Sequence, residues 1–121
     1  MKFLSLYTAA LSMALVNASI LPRQTDAKFK ATSFKLDGDT LHGEIDTPEG
    51  SEKVEIFWAK GDSWQQAPII ARRGWFNKFQ HISYWSFSAE TPGATQFYVK
   101  ASYAGRDIYA PGNFVNYQLA H

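Results

Sequence analysis

The chain has no cysteine. That excludes disulfide staples, a thiol nucleophile and every cysteine-based metal site. An excess of charge is missing as well. Twelve Lys and Arg stand against eleven Asp and Glu. The short basic clusters, Lys28 with Lys30 and Arg72 with Arg73, read as solvated faces. Nucleic-acid binding needs a basic face and electrostatic membrane adsorption a polybasic one, so neither partner is expected. No apolar run is long enough to span a bilayer as a helix.

Catalytic signatures are absent too. His42, His81 and His121 lack the spacing of a zinc-ligand pair. No Ser sits in a nucleophile elbow, and no Gly-rich loop fits a phosphate. No metal and no other cofactor is implied. Glu44 and Asp46 would share one face of a strand, as the carboxylates of a glycosidase can. Alternating acids on a wet strand face are common, however, and nothing separates their environments as such catalysis needs. The chain is therefore read as not an enzyme.

What is present begins with a leader. Met1-Lys2 is a short positive start, Phe3 to Val16 is mostly apolar, and Val16-Asn17-Ala18 is a small-residue cleavage site. Residues 1–18 are expected to be a secretory signal peptide and the protein to be extracellular. Loss of that segment removes one Lys and no acid, leaving the two signs equal. Residues 19–28, with Pro, Gln, Thr and charges in no periodic order, read as a flexible N-terminal arm. Residues 29–121 are left as one small domain.

Aromatic residues are abundant: nine Phe, six Tyr and four Trp. Without disulfides, large aromatic burial must supply much of the core. From Phe29 onward the pattern has period two. Leu41, Gly43 and Ile45 oppose Glu44 and Asp46. Val54, Ile56 and Trp58 oppose Glu55, Phe57 and Ala59. Trp85, Phe87 and Ala89 oppose Tyr84, Ser86 and Ser88. Turn signals stand at Asp37-Gly38, Pro48-Glu49-Gly50, Gly61-Asp62, Pro92-Gly93 and Gly105-Arg106-Asp107. Short alternating strands between regular turns predict an all-β protein, an antiparallel β-sandwich with immunoglobulin-like layering.

One strand carries the functional clue. In Phe97 to Tyr103, Phe97, Val99, Ala101 and Tyr103 share a core face. Tyr98, Lys100 and Ser102 fall on the other face, where packing does not require a Tyr. Tyr109 follows after one tight turn and would lie near Tyr98. Flat rings beside amides and an ammonium suit a polar ligand with an apolar face, and a sugar ring fits that description. Trp58, Trp85, Phe87 and Phe97 are assigned to the core, with Trp85 at its centre.

The segments Asp37-Gly38-Asp39-Thr40-Leu41-His42-Gly43-Glu44-Ile45, Lys53-Val54-Glu55-Ile56 and Gly61-Asp62-Ser63-Trp64 recur in order with Tyr84-Trp85-Ser86-Phe87-Ser88-Ala89, Phe97-Tyr98-Val99-Lys100 and the ending Tyr109 to Gln118. Together they resemble starch-binding domains of carbohydrate-binding module family 21, from about Phe34 to Leu119. The resemblance implies an immunoglobulin-like β-sandwich that binds α-1,4-glucans and commonly travels with amylolytic enzymes. It implies that Trp64 in a loop, Tyr98 on its strand and Tyr109 form the sugar platform, with Lys100 as a polar neighbour and Asn113 in the family's Asn-rich segment. The chain departs from the pattern at Ala110-Pro111-Gly112, and the segment 47–52 lacks the aromatic residue of the family's second site. Trp75 and Phe76, read as a loop between strands, are the candidates to replace it.

The implied partner is an α-glucan polysaccharide, together with a separate amylolytic enzyme, since none is read in the chain. The alternative is a secreted protein-interaction module that keeps the sandwich and has lost the sugar, using Trp75, Phe76 and Phe79 beside Arg72 and Arg73 as its interface.

Overall fold

The computed structural model describes residues 24–112 and 115–120. It contains ten strands: β1 (Lys30–Asp37), β2 (Thr40–Pro48), β3 (Lys53–Lys60), β4 (Ser63–Trp64), β5 (Ile69–Ile70), β6 (Arg72–Asn77), β7 (Ile82–Glu90), β8 (Gln96–Tyr103), β9 (Arg106–Ala110) and β10 (Tyr117–Gln118). No helix long and apolar enough to cross a membrane occurs among the described residues. Every strand pairing is antiparallel. One sheet runs β1-β2-β7-β6. The other is built on the β3–β8 pair, with β4 and β5 in tandem along β3 and β9 and β10 in tandem along β8. The β-sandwich read from the alternation is the observed fold.

Glycines make the hairpins. Asp37 pairs with Thr40 across Gly38-Asp39, and Gly38 has φ +64°. Lys60 pairs with Ser63 across Gly61-Asp62, and Gly61 has φ +61°. A two-residue loop needs that left-handed conformation, which glycine adopts without a Cβ penalty. The β8–β9 turn differs from expectation. Its loop is Ala104-Gly105, both with positive φ, so Arg106 and Asp107 already belong to β9.

The core lies between the sheets. Leu41, Ile45, Trp85 and Phe87 come from the first sheet, and Val54, Ile56, Phe97, Val99, Ala101 and Ile108 from the second. All ten are buried. The alternating residues of β8 explain this directly: Phe97, Val99 and Ala101 are inside, while Tyr98, Lys100 and Ser102 remain partly exposed. Trp85 sits in this core, as its apolar face predicted. Its indole N–H donates to the buried Thr47 Oγ1 at 2.9 Å, which removes the cost of hiding a polar group. Trp58 packs at the margin, only half-buried.

Gly43 marks a close approach. A Cβ there would stand 2.5 Å from the Ser33 carbonyl oxygen, so any side chain would push β1 away. Phe34, opposite Gly43, instead reaches inward to Phe97, edge-on at 5.0 Å. Just before Phe29, the Gln24 carbonyl accepts from the Tyr109 N–H, and Lys28 Nζ donates to the Gln80 carbonyl.

Trp75 and Phe76 do not lie in a loop. They belong to β6, an outer strand of the first sheet, and pairing with β7 shifts register between Arg73 and Phe76. The period-two reading missed β6 because this bulge breaks its alternation.

Candidate functional site

The outer face of the second sheet carries three rows of side chains, set by register. Trp64 on β4 and Gln96 on β8 flank Ala59 on β3. In the next row, Tyr98 on β8 stands opposite Phe57 on β3. In the third, Lys100 on β8 lies between Tyr109 on β9 and Glu55 on β3. Side chains two apart along a strand share a face, so these rows stack into one surface.

Trp64 was expected in a loop. It lies instead in β4, because the Gly61-Asp62 turn folds the chain straight back along β3. Opposite it stands only the methyl group of Ala59. The indole is 40 % exposed, and its ring meets Tyr98 at 5.3 Å and 62°. Tyr98 is the hub of the surface. Phe57 stacks on it at 5.2 Å and 14°, and Tyr109 lies 6.1 Å away at 43°. The rings turned by these different angles form a bent surface.

Lys100 borders the aromatic group. Its Nζ is 3.6 Å from Glu55 Oε1 and 5.6 Å from the centre of the Phe57 ring. Glu55 is also paired with Lys53, at 3.6 Å. On the opposite side, Gln96 Nε2 donates to the Gly61 carbonyl at 2.8 Å, and Asn116 Nδ2 donates to Gln96 Oε1 at 3.0 Å. Amide groups and an ion pair thus flank the rings on two sides. Asn113 lies outside the described residues.

Of the site residues expected from sequence, Trp64, Tyr98, Lys100 and Tyr109 are brought together. Phe57, Glu55 and Gln96 join them and were not singled out. The signal for Phe57 was available: alternation in β3 puts it on the face opposite Val54 and Ile56, just as it does Tyr98 in β8. Nothing local says that β3 and β8 are neighbours.

Glu44 and Asp46 lie far from these rows in the topology, on β2 of the other sheet. Burial pushes the Asp46 carboxyl above the usual carboxylate range, with Lys30 pulling it back and Glu44 adding to the rise. Among the described residues no group of three or more His, Asp or Glu could hold a metal ion.

No protein-family model matches the chain. Over 111 residues it is 32 % identical to glucoamylase 1 of Rhizopus oryzae; this stretch covers 88 % of the chain. It is 18 % of the glucoamylase, so the chain spans under a fifth of that relative. The starch-binding domain of Rhizopus oryzae glucoamylase, solved in complex with β-cyclodextrin and maltoheptaose, has the same fold at a TM-score of 0.69 and 28 % identity. The match covers 86 % of this chain and 100 % of that domain. A circularly permuted domain of carbohydrate-binding module family 21, with altered selectivity in carbohydrate binding, matches at a TM-score of 0.59 and 26 % identity. There the coverage is 81 % of this chain and 89 % of the other.

Proposed function

The chain belongs to carbohydrate-binding module family 21, and from that premise we propose that it is a secreted, non-catalytic module binding α-1,4-glucans such as starch and glycogen. One observation carries the reading: Trp64, Tyr98 and Tyr109 form a continuous aromatic surface on the outside of the sandwich, bent between its rings. Sugar rings stack their C–H faces on aromatic rings and keep their hydroxyls for polar groups at the edge. An α-glucan curves, so successive glucose units meet rings set at an angle better than a flat array would. Lys100, Glu55 and Gln96 supply donors and acceptors beside them. Each contact is weak, and affinity comes from several units held at once.

The module would act beside a separate amylolytic enzyme, holding it near its substrate or holding glucan on its own. Native gels cast with soluble starch, glycogen, a β-glucan or no polysaccharide test the reading. Retardation by the α-glucans alone is expected, and it should disappear in Trp64→Ala and Tyr98→Ala variants that still melt cooperatively. Equal mobility in all gels would sink it and turn attention to a protein partner. Secretion rests on the character of residues 1–18 and is checked by N-terminal sequencing of protein recovered from the culture medium. Ser19 is expected as the first residue.

A further inference from the structure

The segment before β1 is bonded to the strand that carries Tyr109. The Tyr109 N–H donates to the Gln24 carbonyl at 2.7 Å. Arg106, on the same strand β9, donates from Nη1 to Gln24 Oε1 at 3.0 Å. Thr25 sits so close to the buried Gly112 that a Cβ on that glycine would collide with its methyl group. At the other end of the segment, Lys28 Nζ donates to the Gln80 carbonyl at 2.9 Å, and Phe29 is buried in the core. Residues 24–28 therefore run from β9 of the second sheet to the β6–β7 turn of the first, tied down at both ends.

The direction of the Tyr109 N–H gives this contact its weight. Residue pairs across an antiparallel ladder alternate between bonding each other and turning their polar groups away. Tyr109 faces Lys100 on β8, and its N–H turns away from β8 to Gln24. The segment thus stands where a further strand would, along the outer edge of β9. Among the described strands β9 pairs with β8 alone. A short strand held on one side opens locally at low cost, and a partner on its other edge raises that cost.

The position of β9 decides where Tyr109 stands. Ile108 and Ala110 on either side of it are buried, which turns the Tyr109 ring outward, toward Tyr98. Phe57, Trp64 and Tyr98 lie on β3, β4 and β8 and make their ring contacts with one another. A shift of β9 therefore moves Tyr109 and leaves the other rings in place. We propose that residues 24–28 brace the glucan surface: Gln24, clamped by Arg106, fixes β9 and so positions Tyr109. Gln24 and Arg106 are positioning residues that act through Tyr109. That the braced surface binds glucan rests on the α-glucan reading above; the brace itself rests on the bonds just given. Gln24, Thr25, Ala27 and Lys28 are exposed, and exposed chain ends are where proteases cut. A cut there would weaken glucan binding and leave the core intact.

The test keeps the segment at full length and compares the parent with Gln24→Ala, with Gln24→Glu, and with a loosened form carrying Gln24→Gly, Thr25→Gly and Asp26→Gly. Each is labelled with 3-fluorotyrosine for ¹⁹F NMR, with Tyr109→Phe assigning the resonance of position 109, and is titrated with maltoheptaose. Amide hydrogen exchange at Tyr109 reports whether the segment is attached. In Gln24→Ala and the loosened form the Tyr109 amide is expected to exchange faster and its ring resonance to move, while that of Tyr84 on the other sheet stays. Maltoheptaose should bind these two about two- to tenfold more weakly, the factor that one net hydrogen bond corresponds to. Gln24→Glu keeps the acceptor for Arg106 and should bind as the parent does. A parental exchange rate or an unmoved Tyr109 resonance in the loosened form would overturn the brace. So would a moved resonance with unchanged affinity. A parent that binds no maltoheptaose, with the resonance still moving between parent and variants, would sink the glucan reading and leave the brace standing.

Discussion

Phe57 and Tyr98 lie ring on ring across the β3–β8 pair, 5.2 Å apart and within 14° of parallel. Tyr98 also touches Trp64 and Tyr109, so Phe57 holds in place the ring on which the candidate surface turns. Aromatic pairs of this kind contribute about 0.5–1.5 kcal/mol beyond burial. Phe57→Ala is expected to lower stability by about 1 kcal/mol and to weaken maltoheptaose binding on the order of tenfold. Calorimetric titration beside a thermal melt measures both. Unchanged affinity would show that Tyr98 needs no such support.

A neutral glucan releases no counterions when it binds. Affinity is therefore expected to stay within about twofold when salt rises from about 50 to 500 mM, because only charge–charge attraction is screened. Lys100→Met should cost a few-fold in affinity and lower the melting temperature only modestly, since the Lys100–Glu55 pair is partly covered but Glu55 keeps Lys53 as a second cation. A steep salt dependence in the same titrations would point to a charged ligand.

The Trp85 indole has its acceptor in Thr47 Oγ1, both groups being buried. Thr47→Val keeps the shape and removes the acceptor. It is expected to destabilise by about 1–3 kcal/mol, because a buried N–H is left unpaired. Thr47→Ser, which keeps the hydroxyl, should cost less. Urea denaturation of the two variants gives the comparison, and equal losses would assign the effect to packing alone.

Asp46 titrates higher in the folded protein than unfolded, chiefly through burial. A carboxyl with a raised folded value favours folding when protonated. That contribution is complete below the unfolded value and is lost as pH rises through the folded one. Asp46→Asn, which removes this partly desolvated charge, should therefore raise the melting temperature at pH 7. The gain should vanish below about pH 4, where the parent carboxyl is also neutral. Melting scans from pH 3 to 7 check the sign; a variant less stable than its parent at pH 7 would show that the attraction to Lys30 outweighs burial.

Much of the fold was legible because a strand announces itself locally. The alternation in Phe97–Tyr103 separated core from surface correctly, and Gly38 and Gly61 stood where two-residue turns need them. Where a residue breaks the period, the reading failed. The bulge at Gly74-Trp75 hid β6, and Ala104, an unusual residue for a left-handed turn, disguised the start of β9. Trp64 looked like a loop residue because a strand of two residues has too few positions to alternate.

By itself, then, the sequence determined which face of each long strand Tyr98, Lys100 and Phe57 occupy, since the pleat sends neighbouring side chains to opposite sides. It also limited what could hold the domain together, since without cysteine the core must suffice. Only the tertiary structure decided which faces meet. Registry between β3 and β8 put Phe57 against Tyr98, and the bulge in β6 put Trp75 against Tyr84. Strand neighbours are chosen by burial and hydrogen bonding summed over the whole sandwich, and no local pattern carries that sum.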